Sequence, residues 1–212
     1  MGSEMCIRDR YINAMYELFL GRSATVAEQV AWGDEVDAGN RAALTDELST
    51  SREWAGVVVQ QIYRSALGRD ADDAGLDFWT SQIRTGVRVE QIGAQFYGSP
   101  EYFARSGGTN EAFVGSLYQE LLGRSADQAG LDFWAGQLDR GEVTTGDVAS
   151  GFYMSIESRR GRVTALYQSV LGRGPDDDGL EYWAGQLLIT DDVDLASNLA
   201  VSDESYLRAL EN

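Results

Sequence analysis

The side chains in this sequence that could do chemistry are mostly acids, and they crowd three short glycine-containing loops. These read Asp70-Ala71-Asp72-Asp73-Ala74-Gly75-Leu76-Asp77, Asp127-Gln128-Ala129-Gly130-Leu131-Asp132 and Asp176-Asp177-Asp178-Gly179-Leu180-Glu181. Calcium takes about six to eight oxygen ligands, so such loops invite a metal reading with Asp70, Asp72, Asp73, Asp127, Asp132, Asp176, Asp177 and Asp178 as candidate ligands. The register argues against it. With Gly75 at the sixth position of an EF-hand loop, Asp70 and Asp72 fall on ligand positions, but Ser81 stands where the bidentate glutamate belongs. The other loops put Ser125 and Gly174 at the first ligand position and Gly136 and Gly185 at the last.

A related stretch nearer the start of the chain decides between metal and helix cap. It has Thr25 where the others have Asp72, Asp127 and Asp176, and Glu28 where they have glycine. Thr-x-x-Glu is a capping box; threonine and aspartate both accept from first-turn amides, whereas only aspartate is a good calcium ligand. Thr25, Asp72, Asp127 and Asp176 are therefore read as helix caps, with Asp73, Asp177 and Asp178 complementing the helix dipole. No metal site is favoured and no cofactor is expected, with calcium as the alternative.

Other chemistry is scarce. The chain has no His and no Lys, all 17 cations are Arg, and Cys6 is the one cysteine. The usual nucleophile–base pairs and Schiff-base routes are absent, so no enzymatic activity is expected. A net charge of −17 leaves no basic patch with which to displace the counterions of nucleic acid or of an anionic membrane surface. No apolar run approaches the ~20 residues that span a bilayer.

An internal repeat carries these loops. Tyr-x3-Leu-Gly-Arg-x9-Trp occurs four times: at Tyr16, Gly21, Arg22 and Trp32; at Tyr63, Gly68, Arg69 and Trp79; at Tyr118, Gly123, Arg124 and Trp134; and at Tyr167, Gly172, Arg173 and Trp183. Successive Gly-Arg pairs lie 47, 55 and 49 residues apart, so insertions fall between motifs. A Ser-x-Glu signature follows each at Ser51, Ser99, Ser155 and Ser202. The units are assigned to residues 11–57, a degenerate first repeat, then 58–112, 113–161 and 162–212.

The spacing within a unit is helical. Leu76, Trp79 and Ile83 share a face, as do Leu131, Trp134 and Leu138. The Tyr-x3-Leu segment forms the preceding helix, ended by the left-handed Gly of the motif, and a third helix carries Phe96 or Phe152 to a Ser-x-Glu turn. Nothing alternates with the period of a strand. The predicted fold is an all-α helical repeat array of four units with about three helices each, compact or a short solenoid. The repeated tryptophans are expected in its core, with sugar platforms as the alternative. The repeated Arg is expected to pair with the acid two residues before the Trp (Asp77, Asp132 or Glu181), although the first unit has Val30 there; an outward Arg that binds sugar or carboxylate is the alternative.

Met1 to Arg10 is the peptide encoded by a widely used transposase sequencing adapter and is read as non-native. On that reading Cys6 drops out, and the natural N-terminus lies upstream.

The run Leu117-Tyr118-x3-Leu122-Gly123-Arg124-x2-Asp127-x2-Gly130-Leu131-x2-Trp134, followed by a glycine turn, a Phe-Tyr helix and Ser-x-Glu, resembles the bacterial family known as domain of unknown function 4214. The resemblance covers Tyr11 to Asn212 and departs in the first unit at Thr25, Glu28, Gln29 and Val30. It implies a non-enzymatic, extracellular or cell-surface binding or spacer module of a larger bacterial protein. Type I-secreted haemolysin-type, adhesin and surface-layer proteins carry such repeats, and the implied partners are a surface glycan, lipopolysaccharide or other domains of the parent protein. A calcium-dependent module of an adhesin is the alternative. A more distant similarity is to the phycobilisome linker domain, an assembly scaffold; such linkers are usually basic, and this chain is acidic.

Overall fold

A left-handed glycine closes the first helix of every unit. The backbone φ is 67° at Gly21, 67° at Gly68, 68° at Gly123 and 70° at Gly172, a conformation in which a Cβ is strained. The structure, a computed structural model, describes the backbone of residues 2–209 and the side chains of residues 7–209. The Cys6 side chain and Leu210 to Asn212, which close the fourth unit, lie outside the described residues.

The elements among the described residues are all helical. Unit one contains α1 (Gly2–Leu20), α2 (Val26–Asp37) and α3 (Arg41–Thr50). Helix α4 (Arg52–Ile62) runs on through a π-helical turn, Tyr63–Leu67, into unit two, which continues with α5 (Asp73–Arg84), α6 (Val89–Tyr97) and the short α7 (Pro100–Arg105). Unit three holds α8 (Asn110–Leu122), α9 (Gln128–Asp139) and α10 (Thr145–Tyr153). Helix α11 (Ile156–Leu171) leads into unit four, with α12 (Asp177–Gln186), α13 (Asp192–Ala200) and α14 (Asp203–Arg208).

The Ser-x-Glu segment is not a turn but a helix start. The hydroxyls of Ser51, Ser99, Ser155 and Ser202 accept from the amides of Trp54, Tyr102, Ser158 and Ser205 at 3.0, 3.2, 3.1 and 3.1 Å. Each serine thus caps α4, α7, α11 or α14, and the glutamate of the signature lies in the first turn of that helix.

The units pair out of chain order. One core joins units one and four through Ile12, Phe19, Leu44, Leu195, Leu199 and their neighbours. The other joins units two and three through Val59, Ile92, Phe96, Phe113, Leu117 and Phe152. Helix α6 packs on α10, and α3 packs on α13. The two halves of the chain correspond: each has a continuous helix between its two units (α4, α11) and finishes in a six-residue helix (α7, α14). A two-fold relation between such halves turns the one–four pairing into the three–two pairing, so the two cores correspond.

Candidate functional site

The repeated arginine sits at the same junction in every unit. It follows the left-handed glycine, so its guanidinium is delivered beside the motif tyrosine six residues earlier: Arg22, Arg69, Arg124 and Arg173 lie over the rings of Tyr16, Tyr63, Tyr118 and Tyr167 at 5.1, 5.0, 4.9 and 5.6 Å from the centroid. Its partner is not the acid before the tryptophan. Arg69 donates through Nε and Nη2 to the two carboxylate oxygens of Glu101 at 2.6 and 2.9 Å. Arg124 does so to Glu157 at 2.5 and 3.0 Å, and Arg22 to Glu53 at 2.5 and 2.9 Å. Arg173 holds Glu204 in the same way.

The expected pairs with Asp77, Asp132 and Glu181 do not form, because those acids lie on the other side of their helices. Asp77 meets Arg52, Asp132 accepts from Gln128 and Glu181 meets Arg160. Planar two-point geometry favours Arg over Lys at the junction. The clamp ties the loop after the first helix to a first-turn glutamate 31 to 33 residues later. Arg69 and Glu101 are each close to half exposed (44% and 48%), so water and salt screen the pair. The arginine still lowers the proton affinity of Glu53, Glu101, Glu157 and Glu204.

The loop acids act locally. Asp72, Asp127 and Asp176 accept from the amides of Gly75, Gly130 and Gly179, each at 2.7 Å. Thr25 accepts from the Glu28 amide at 3.3 Å, while the Glu28 carboxylate accepts from the Thr25 amide at 2.7 Å. Asp70 pairs with Arg64, and Asp73, Asp177 and Asp178 lie in the first turns of α5 and α12. Among the described residues no three His, Cys, Asp or Glu side chains converge as a metal ion would require.

In units two and three the loop glycine is explained by the motif tyrosine. A Cβ at Gly75 would come within 2.3 Å of the Tyr63 hydroxyl, and one at Gly130 within 2.4 Å of the Tyr118 hydroxyl. Unit one has Glu28 there instead and uses it: Arg22 donates to Glu28 as well as to Glu53, and holds the Glu28 carboxyl at about 2.

The tryptophans are half-buried at the edges of the two cores, not at their centres. Trp79 and Trp134 lean on Phe96 and Phe152, with centroids 5.3 and 5.7 Å apart. In unit two the Trp79 ring and the Arg69–Glu101 clamp border a groove of about 450 Å³, whose lining also includes Tyr63, Gln95 and Phe96. Gln95 is exposed on its rim. The residues before the tryptophans, Phe78, Phe133 and Tyr182, are exposed apolar side chains.

Sequence reasoning missed a polar cluster where unit two meets units three and four. Glu90 is fully buried in α6, accepts from the Asp192 amide at 2.8 Å and has Arg88 at 3.4 Å. Its second carboxylate oxygen has no hydrogen-bond partner. Burial, and then the Asp192 charge, push this carboxyl up to about 7. Arg162 pairs with Asp192 at 2.9 Å and lies over the Tyr153 ring. The signal in the sequence is a lone acid two residues before Ile92, where the equivalent places in the other units hold Ala42, Gly146 and Val193.

The comparisons with known proteins agree with the repeat. A family model described as a domain of unknown function (DUF4214) matches residues 57–102, 93–162 and 159–208. Searches of the curated proteins and of the solved structures return no match. The three family matches fall on units two to four, and unit one, with its different loop, lies almost wholly before them. Together they span more than half of the chain, which belongs to this family of domains of unknown function.

Proposed function

We propose that the chain is a non-catalytic binding and spacing module of a larger exported bacterial protein, and that the groove of unit two takes a cell-surface glycan such as a lipopolysaccharide sugar. The observation that carries this reading is the groove itself. An aromatic face beside planar polar groups is what a pyranose ring needs, with its apolar face stacked and its hydroxyls hydrogen-bonded. Trp79 supplies the face, and Arg69, Glu101 and Gln95 supply the polar groups. The lack of His and Lys in the sequence removes the common nucleophile–base and Schiff-base routes, which favours binding over turnover. The acidity of the chain suits a sugar ligand better than a polyanion and weighs against a linker role between acidic partners. A glycan array combined with a lipopolysaccharide pull-down tests the reading. Retention that is lost on Gln95→Ala supports it, and no retention on any glycan contradicts it.

A further inference from the structure

The correspondence of the two halves exposes a difference between their cores. In the register of the serine caps, Tyr102 of α7 matches Ser205 of α14, and Arg105 matches Arg208. The arginines confirm the match in space: Arg105 donates to the Ala66 carbonyl at 3.1 Å, and Arg208 to the carbonyl of the equivalent Val170 at 2.7 Å. Tyr102 is fully buried, with its ring 5.0 Å from that of Tyr97 and 5.9 Å from that of Phe113. At the matching places the other half has Ser205, Ala200 and Tyr11, one tyrosine ring in place of two tyrosines and a phenylalanine.

The volume is not refilled. A hollow of about 630 Å³ lies between α1, α11 and α14, with Met15, Val170 and Ser205 in its lining, Asn13, Glu17 and Arg208 beside them and exposed Ser169 on its rim. The hollow opens to solvent at Glu17 and Ser169, and its size is within the range of small-molecule sites. Arg10 also lines it, but that residue falls in the segment read as adapter-encoded, so the case rests on Met15, Val170, Ser205 and Arg208.

We propose that this hollow is a binding site for a phenol-sized aromatic ring, the group that Tyr102 supplies covalently at the matching place in the other half. The apolar floor of Met15 and Val170 takes the ring, and the polar rim takes the hydroxyl. The probe is p-cresol, which is the tyrosine side chain as a free molecule. A ligand that binds only the folded chain raises its melting temperature with concentration. The expected result is a saturable rise in the melting temperature of the full chain, abolished both by Ser205→Tyr, which fills the floor, and by Ser169→Trp, which closes the exposed rim. The proposal is overturned if p-cresol gives no shift up to its solubility limit, or if the shift persists in either variant shown to be folded by circular dichroism. Should Ser205→Tyr fail to fold, Ser169→Trp alone decides.

Discussion

Arg69 and Glu101 stand 32 residues apart in the chain and meet through two parallel hydrogen bonds, with the guanidinium laid over Tyr63. The same three residue types meet in all four units. The clamp connects the start of one loop to the cap of a distant helix, so its loss should loosen the unit rather than one helix. Glu101→Gln keeps the shape and removes the charge; Arg69→Lys keeps the charge and removes the second bond. Both variants should melt below the parent at low ionic strength. The deficit of Glu101→Gln should shrink in molar salt because the pair is half exposed. Melting temperatures unchanged by both substitutions at low salt would show that the clamp contributes nothing.

Gly75 tests the tyrosine approach. Ala is favoured over Gly inside a helix by up to about 1 kcal/mol, so a substitution without steric conflict stabilises. At Gly56 in α4 an added Cβ meets nothing within 4 Å, and Gly56→Ala should gain a few tenths of a kcal/mol or more. At Gly75 the Tyr63 hydroxyl is 2.3 Å from the added carbon, and Gly75→Ala should cost about 1–3 kcal/mol. Urea unfolding in a Tyr63→Phe background checks the cause, since removing the hydroxyl should recover part of that loss.

Two carboxyls give pH dependences of opposite sign. Glu90 has its folded value raised to about 7, so the folded state holds the proton more tightly than the unfolded chain does. Stability from this group is complete below the unfolded carboxylate value and is lost as pH rises through about 7. The loss amounts to about 3 kcal/mol, and Glu90→Gln should flatten it. Glu28, held at about 2 by Arg22, contributes above the unfolded value and loses that contribution as pH falls toward 2. Partial exposure of the pair reduces this second effect to about 1 kcal/mol. Urea unfolding from pH 2 to 8 separates the two; a parent whose stability does not fall between pH 5 and 8 contradicts the assignment of Glu90.

The loop aspartates are caps in this account. Asp127→Ala should cost about 1 kcal/mol and Asp127→Thr less, because Thr25 performs the same task in unit one. Calcium at millimolar concentration should change neither the melting temperature nor the tryptophan fluorescence. A calcium-dependent rise that Asp127→Ala removes would restore the metal reading.

Much of this was legible in the sequence, and the rest was not for identifiable reasons. The four-fold motif and the helical spacing of Leu76, Trp79 and Ile83 are local, and the helices follow them. Asp77 lies eight residues from Arg69 and is the acid that local spacing offers, whereas Glu101 and its counterparts recur 31 to 33 residues after each arginine, a separation that only the fold turns into contact. The Ser-x-Glu segment reads as a turn when it is taken as the end of the preceding helix, whereas a capping serine followed by proline at the first helical position, as at Ser99 and Pro100, marks a helix start. The pairing of unit one with unit four rests on contacts such as the Tyr11 hydroxyl to the Ala200 carbonyl at 3.0 Å, across 189 residues. Periodicity within a helix carries no information about such a partner. Glu90 escaped because one acid in an apolar helix has no repeat to mark it.

The most direct test of the central claim is a binding isotherm on immobilised bacterial lipopolysaccharide and surface polysaccharide, with the parent chain beside Gln95→Ala and Trp79→Phe. The account predicts saturable binding of the parent to at least one of these glycans and a several-fold weaker response from both variants, each folded by circular dichroism. No binding of the parent, or equal binding by all three proteins, would contradict it.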